Sequence, residues 1–264
     1  LNAQKNNKFY IDVADLPMEQ AIDLELPIPE YLREIEPFIF NDKSIYFFAS
    51  NSMRNYSIKK YHLSNNHTHV WINGGHSVNK ELISDGISID IDKINYVYAG
   101  TLNKGRQIEF MIKFFSEIND KNLILMGSDG EWINELNLPK NITYLGALEE
   151  KHAHYIVSLC DIGLIPYDSQ RPYYNIAYPT KLSFYITAGI SFLSTNVQEV
   201  KDINNKYSIG YIKDIESWDL FIKSLSKSEI LKKKENVINI KHKFLWSNII
   251  NKDLILNSDY QSLS

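Results

Sequence analysis

From Ile94 onward the chain alternates short apolar runs with helical-period segments, and this alternation narrows the choice of fold more than any other feature. Apolar run Tyr96–Ala99 precedes helical segment Ile108–Ile118, Leu123–Met126 precedes Glu131–Leu136, and Ile142–Tyr144 precedes Lys151–Leu159. Ile162–Ile165 then leads to Lys181–Ala188, and Ser191–Ser194 follows. Strands separated by single helices cannot close as hairpins. Each must return to the same sheet by a crossover, which predicts an α/β fold with a doubly wound parallel sheet, Rossmann-like, and helices on both faces. Ligands of such sheets sit at the carboxyl ends of the strands, where Gly100, Gly127, Gly146 and Pro166 fall.

The preceding segment reads as a smaller piece of the same kind. Strand Phe9–Val13, a short helix from Pro29 to Pro37 and strand Ser44–Ala49 are predicted, followed by a helix from Asn51 to near Tyr61. His69–Ile72 is a third strand, stopped by Asn73-Gly74-Gly75, and a polar linker runs to Asp92. The expected organisation is a partial N-terminal domain over 1–72, a ligand-binding domain over 73–252 and a tail over 253–264.

Several function classes are disfavoured. A net charge of −4 lacks the basic excess of a nucleic-acid-binding surface. The longest apolar stretch, Leu182 to Leu193, is too short to span a bilayer and contains Ser183, Thr187 and Gly189. The polar start, Leu1 to Asn7, has no signal-peptide pattern, and a lone Cys160 cannot form an internal disulfide. A cytoplasmic location is expected, with Cys160 as a buried inert thiol. The basic run Lys232-Lys233-Lys234 with Lys241, His242 and Lys243 reads as a solvated helix face, contact with the inner face of a membrane being the minority reading. Asp129 and Asp161 form no Asp-x-Asp pair, and the seven histidines, His62, His67, His69 and His76 among them, show no ligand spacing, so no metal is expected. No Gly-x-Gly-x-x-Gly follows a strand, which argues against a dinucleotide cofactor.

Two segments carry an anion-binding pattern. Tyr96 to Arg106 is a strand ending in Gly100-Thr101 and a loop with Lys104 and Arg106. Tyr178-Pro179-Thr180-Lys181-Leu182-Ser183 enters a helix that breaks at Gly189. A cation at a helix N-terminus opposes the macrodipole, a conflict that a bound anion resolves. Arg106 and Lys181 therefore read as ligands of a phosphate rather than as solvated side chains.

With the strand order, these segments resemble the donor-binding domain of GT-B glycosyltransferases that use nucleoside-diphosphate sugars, over about Val70 to Lys252. Asn73-Gly74 resembles the turn that opens that domain, and Gly100 with Arg106 its first phosphate loop. Tyr144-Leu145-Gly146 is similar to its base-binding strand end, and Cys160 to Tyr167 to the strand after it. Pro179-x-Lys181-Leu182 matches the second phosphate loop, and Phe244-Leu245-Trp246 the start of the C-terminal crossing helix. The wording Lys181 to Gly189 is closest to bacterial galactofuranosyl- and glucosyltransferases of surface polysaccharides or adhesins.

The resemblance implies a UDP-linked sugar as donor substrate, no further cofactor, and a glycan or glycoprotein acceptor. It implies Arg106 and Lys181 as the catalytic cations on the leaving diphosphate. The donor would be held by Gly100, Thr101, Leu145, Tyr178, Pro179, Thr180, Leu182, Ser183 and Glu199. For Glu199, donor contact and capping of the following helix stay open, as does stacking by Tyr173 and Tyr174. Two departures stand out. Ile176 and Phe184 occupy the positions where many relatives carry a pair of glutamates, the second on the ribose hydroxyls. The segment before Asn73 matches only the later part of an N-terminal domain, so the chain reads as a piece of a longer protein, weak in transfer by itself. The alternative is a catalytically silent nucleotide- or glycan-binding subunit that partners an active transferase; homo-oligomerisation is left open.

Overall fold

The structure, a computed structural model, describes residues 9–41, 43–79, 89–103 and 106–250. Lys104, most of the expected linker and the expected tail lie outside these. The first unit contains β1 (Tyr10–Val13), α1 (Pro17–Asp23), α2 (Glu30–Ile39), β2 (Ile45–Phe48), α3 (Asn51–Tyr61) and β3 (Thr68–Val70). Its three strands pair in parallel in the order β1-β2-β3.

The second unit begins with β4 (Ile94–Ala99), α4 (Ile108–Ser116), β5 (Lys121–Met126), β6 (Ile142–Tyr144), α5 (Glu150–Ser158) and β7 (Ile162–Ile165). It continues with α6 (Pro172–Ile176), α7 (Thr180–Ala188), β8 (Ser191–Ser194), α8 (Gln198–Tyr207) and β9 (Gly210–Ile212). Helices α9 (Trp218–Ser224), α10 (Lys227–Ile240) and α11 (Trp246–Ile249) complete it. All six strands are parallel, in the order β6-β5-β4-β7-β8-β9. Successive crossovers run outward on one side from β4 to β6 and on the other from β7 to β9. The order therefore reverses between β4 and β7, and the crevice at their carboxyl ends is where such a sheet takes ligands.

Both faces of this sheet are buried, as its continuous apolar strands require. Along β4 the side chains alternate: Val97 and Ala99 enter one core with Ile186 and Val200, while Tyr96 and Tyr98 enter the other with Met111 and Phe115. Tyr185 on α7 lies fully buried against this centre. Its hydroxyl accepts from Ala99 N–H and donates to the Leu164 carbonyl, both at 3.1 Å, and so ties α7 to β4 and β7 together. Lys181, one helical turn earlier on the same face, is carried to the mouth of the switch point by that anchor.

The structure departs from the expected elements in several places. Glu131–Glu135 is a 3₁₀ turn rather than an α-helix; Ile133 N–H bonds Gly130, and the Trp132 indole donates to the Leu102 carbonyl at 2.8 Å. A segment this short gains little from propagation, so one side-chain anchor decides its form. Pro37 lies inside α2 instead of ending it, near the C-terminal end where a single backbone bond is forfeited. Helices α1, α6 and α9 and strand β9 have no counterpart among the expected elements. Helix α6 joins the two units: Tyr173 and Ala177 pack with Val13, Leu16 and Phe48. Ser50 Oγ donates to the Ile176 carbonyl at 2.5 Å, and Leu16 N–H donates to the Tyr173 hydroxyl at 3.3 Å. Cys160 is buried with its thiol bonded to the Ile156 carbonyl, and burial pushes its pKa up, so it is unreactive.

Candidate functional site

A cleft of about 440 Å³ opens at the carboxyl ends of β4 and β5. Gly100 and Thr101 form one wall, Thr180 and Lys181 the opposite one, and Gly74 and Gly75 close one side. Strands can converge here because two residues lack side chains. Gly127, at φ +142°, places its Cα so near the Gly100 carbonyl that a Cβ would overlap it. Gly100, at φ +139°, leaves its Cβ position to the Lys181 side chain.

Lys181 is 8% exposed, and its ammonium faces aromatic rings, 4.8 Å from the centroid of Tyr98 and 5.7 Å from that of Tyr167. Among the described residues it makes no ion pair and no hydrogen bond. Burial pushes its pKa down to about 8, and the nearby Arg106 guanidinium adds to the shift. Arg106 lies beside the Tyr98 hydroxyl, which donates to the Thr101 carbonyl at 2.9 Å. Burial raises the pKa of Tyr98, so the phenol stays protonated beside the two cations. Two cations held together without an acid are unfavourable in a protein interior. Helix α7 adds to the positive field: Pro179 stands at its N-cap, no side chain caps it, and its first turn has no acidic residue. Unpaired N–H groups, the helix dipole and two cations therefore converge on one point, an arrangement suited to a diphosphate.

The sequence-nominated residues divide into two sets. Gly100, Thr101, Thr180 and Lys181 line this cleft, and Arg106 lines an adjoining smaller cavity of about 160 Å³ that also includes Thr180 and Tyr178. Leu182 and Ser183 are fully buried and line neither cavity, because α7 turns their side chains toward the core. Pro179 acts through the backbone by leaving α7 uncapped. The Tyr178 hydroxyl is engaged with Ser183 Oγ at 2.6 Å. Leu145 N–H is taken by the Leu125 carbonyl, which leaves a base the Leu145 carbonyl and side chain. Glu199, 2% exposed, accepts Ser52 N–H at 2.7 Å and so spans the two units. Phe184 lines the cleft, whereas Ile176 packs into the first unit's core.

Sequence reasoning missed Leu148, Glu150 and Ala153 in the larger cleft, and Asp15, Gln20 and Asp23 in the smaller. The last three come from a distant part of the chain and carry no local motif. Among the described residues no group of three His, Cys, Asp or Glu is placed to hold a metal ion, and no helix is long and apolar enough to cross a membrane.

No protein-family model matches the chain. TuaH of Bacillus subtilis strain 168, named as a putative teichuronic acid biosynthesis glycosyltransferase, is 31% identical over 77 residues, 29% of this chain and 19% of TuaH. The chain thus matches about a fifth of the length of that curated relative. Solved structures align over nearly the whole chain. Sucrose-phosphate synthase of Thermosynechococcus elongatus superposes with a TM-score of 0.69 at 14% identity, covering 99% of this chain and 69% of its own. Anabaena HepE in complex with UDP-glucose gives 0.66 at 11% identity, covering 96% and 72%. WaaG, a glycosyltransferase of lipopolysaccharide biosynthesis, gives 0.62 at 13% identity, covering 88% and 70%. Two parallel Rossmann-like units, the ligand crevice at the switch point and these superpositions agree: the chain has the GT-B glycosyltransferase fold.

Proposed function

We propose that this chain binds a nucleoside-diphosphate sugar, UDP-linked, and transfers its sugar to a glycan or glycoprotein acceptor without a metal ion. The observation that carries the reading is the buried Lys181 ammonium, without an ion pair or hydrogen bond among the described residues, beside Arg106 at an uncapped helix start. A desolvated cation of this kind is stabilised by an anion of matching charge, and a diphosphate offers several acceptor oxygens. HepE, which shares the fold, has been solved with UDP-glucose, in support of that class of ligand.

In the transfer, the acceptor oxygen forms a bond to the anomeric carbon while the bond from that carbon to the diphosphate breaks. The electron pair leaves on the diphosphate, and the acceptor's proton departs. Negative charge grows on the leaving group at the transition state, where Lys181, Arg106 and the α7 N–H groups are already oriented, so little reorganisation is needed. The Leu145 carbonyl and side chain are assigned to the base.

The test is a thermal-shift and calorimetric screen with UDP, UDP-sugars, NAD and ATP. A ligand at about 100 times its dissociation constant adds ~2.7 kcal/mol of apparent stability. UDP and UDP-sugars should raise Tm clearly, with NAD and ATP giving less or nothing. No response to any nucleoside diphosphate would overturn the proposal.

A further inference from the structure

The central sheet is split along one seam. Strand β4 pairs with β5 over its whole length, from Ile94 opposite Lys121 to Ala99 opposite Met126. Strand β7 likewise pairs with β8 throughout, from Ile162 opposite Ser191 to Ile165 opposite Ser194. Between β4 and β7 the pairing covers only Tyr96 with Ile162 and Val97 with Gly163, and then stops. Carried two residues further, the same register would set Tyr98 opposite Leu164 and Ala99 opposite Ile165. The next bond of that parallel ladder would run from the Ala99 N–H to the Leu164 carbonyl. These are the two groups that the Tyr185 hydroxyl separates, at 3.1 Å from each. One ladder bond is thus replaced by two bonds through a side chain, and the strands stand apart by the width of a phenol oxygen.

An interior ladder bond is given up only where both of its groups find another partner, because each would otherwise be buried unpaired. The Tyr185 hydroxyl meets that need for both at once. Gly163 makes the insertion possible, since a Cβ there would lie 2.2 Å from the Tyr185 ring. Burial raises the Tyr185 pKa well above its usual value, so the phenol keeps the proton that it donates to Leu164. The opening falls beside the cations. Gly100 directly follows Ala99, and Lys181 precedes Tyr185 by four positions, on the same face of α7. The hydroxyl therefore fixes the height of α7 above the seam, next to the glycine on which the ammonium rests. With Ala99 and Leu164 paired directly, α7 would lose its polar tie to both strands and the ammonium its setting against Gly100.

We propose that Tyr185 is a positioning residue: its hydroxyl, inserted into the β4–β7 ladder, holds the crevice open and seats the Lys181 ammonium against Gly100. Tyr185 lines neither cavity and acts through the lysine. The inference rests on the nucleotide-binding reading for its effect on a ligand, and on the free protein alone for its effect on the lysine.

The experiment is Tyr185→Phe on the full chain, alone and combined with Lys181→Met. Ile222→Val, buried on α9, serves as a control for lost packing. Phenylalanine keeps the ring in the space that Gly163 leaves and removes only the bridging oxygen. UDP and uridine are titrated by calorimetry, and the free proteins are melted, at pH 7, 8, 9 and 10. The groups facing the ammonium, Arg106 and the rings of Tyr98 and Tyr167, are the same in all variants. In Tyr185→Phe the UDP affinity at pH 7 should fall about tenfold or more, with uridine nearly indifferent. The pH at which UDP affinity begins to weaken should move up by about one unit, because an unseated ammonium regains water. In the Lys181→Met background the same change should cost UDP less than about twofold. The control should lower Tm without moving the affinity or its pH window. In the free protein, the gain in Tm above pH 8, measured against the Lys181→Met counterpart, should shrink in Tyr185→Phe. An unmoved pH window with wild-type UDP affinity, equal UDP losses in the two backgrounds, or an unchanged gain in Tm overturns the inference and leaves Tyr185 as packing. Failure of the wild type to bind UDP overturns the nucleotide reading instead, and the melts then decide whether Tyr185 seats the lysine.

Discussion

The Lys181 ammonium lies against the Cα of Gly100, in the space that any side chain at position 100 would occupy. Glycine at the end of β4 and lysine in the first turn of α7 thus depend on each other although they stand far apart in sequence. The strand end leaves room for the cation, which makes no hydrogen bond or ion pair among the described residues and faces only the rings of Tyr98 and Tyr167. The consequence is specific. Gly100→Ala should expel the ammonium from its seat and also strain a backbone at φ +139°, a region an L side chain rarely adopts. UDP affinity should fall at least tenfold, with a Tm loss of a few degrees. Calorimetry and a thermal melt on the same variant check both; UDP binding at parental strength would show that the cation does not need this seat.

The depressed pKa of Lys181 gives a pH dependence of opposite sign for the free and the liganded protein. Below pH 8 the lysine is charged in both folded and unfolded chains, and the folded state bears the full cost of burying it. As pH rises from about 8 toward 10.5, the folded chain releases its proton first, so this group's contribution to stability improves. The improvement is on the order of 3 kcal/mol when complete. A diphosphate needs the charged form, so UDP affinity should weaken above pH 8 over the same window. Lys181→Met should abolish both trends, bind UDP poorly and melt no lower than the parent at pH 7. Melts and titrations at pH 7, 8 and 9 suffice; UDP affinity flat to pH 9 in the wild type would remove Lys181 from the site.

Arg106 differs from Lys181 in being more exposed. Arg106→Ala should therefore leave Tm close to the parent while weakening UDP binding more than tenfold, since truncating one member of a desolvated charge pair costs on the order of 2–5 kcal/mol. Uridine, which has no phosphates, should bind both proteins alike. Equal losses for UDP and uridine would mean that Arg106 serves the base instead.

The central sheet was legible because the apolar runs Tyr96–Ala99, Leu123–Met126 and Ile162–Ile165 each end at Gly or Pro, as expected of parallel strands covered on both faces. Lys181 and Arg106 were nominated because a cation at a helix start is in conflict with the dipole, and the structure brings the two cations near each other. Helix α6 was not. Its five residues owe their form to Asp15, Leu16 and Ser50, more than 120 positions away, and no local propensity signals such contacts. Leu182 and Ser183 were nominated from the resemblance of their segment to a phosphate loop; a helix turns successive residues by about 100°, and both side chains lie in the core. Asp15 and Gln20 had no motif, because their chemistry exists only once the two units meet.

Glu199 was ambiguous in sequence, and its contact with Ser52 gives it a role that neither expectation contained. Its carboxylate accepts a free N–H in the first turn of α3, where the helix dipole favours negative charge. It thereby joins the second unit to the first from a site with 2% exposure. Glu199→Ala should leave that N–H unsatisfied and lose a charge-assisted bond, together about 1.5–3 kcal/mol. For a chain of this size that is a Tm loss of several degrees. Glu199→Gln keeps an acceptor and should recover part of it. UDP affinity should stay within about twofold in both, because the contact lies on the joint between the units rather than on the cation pair. A Glu199→Ala protein that melts like the parent but binds UDP weakly would place the carboxylate on the donor and dissolve this joint as a structural element.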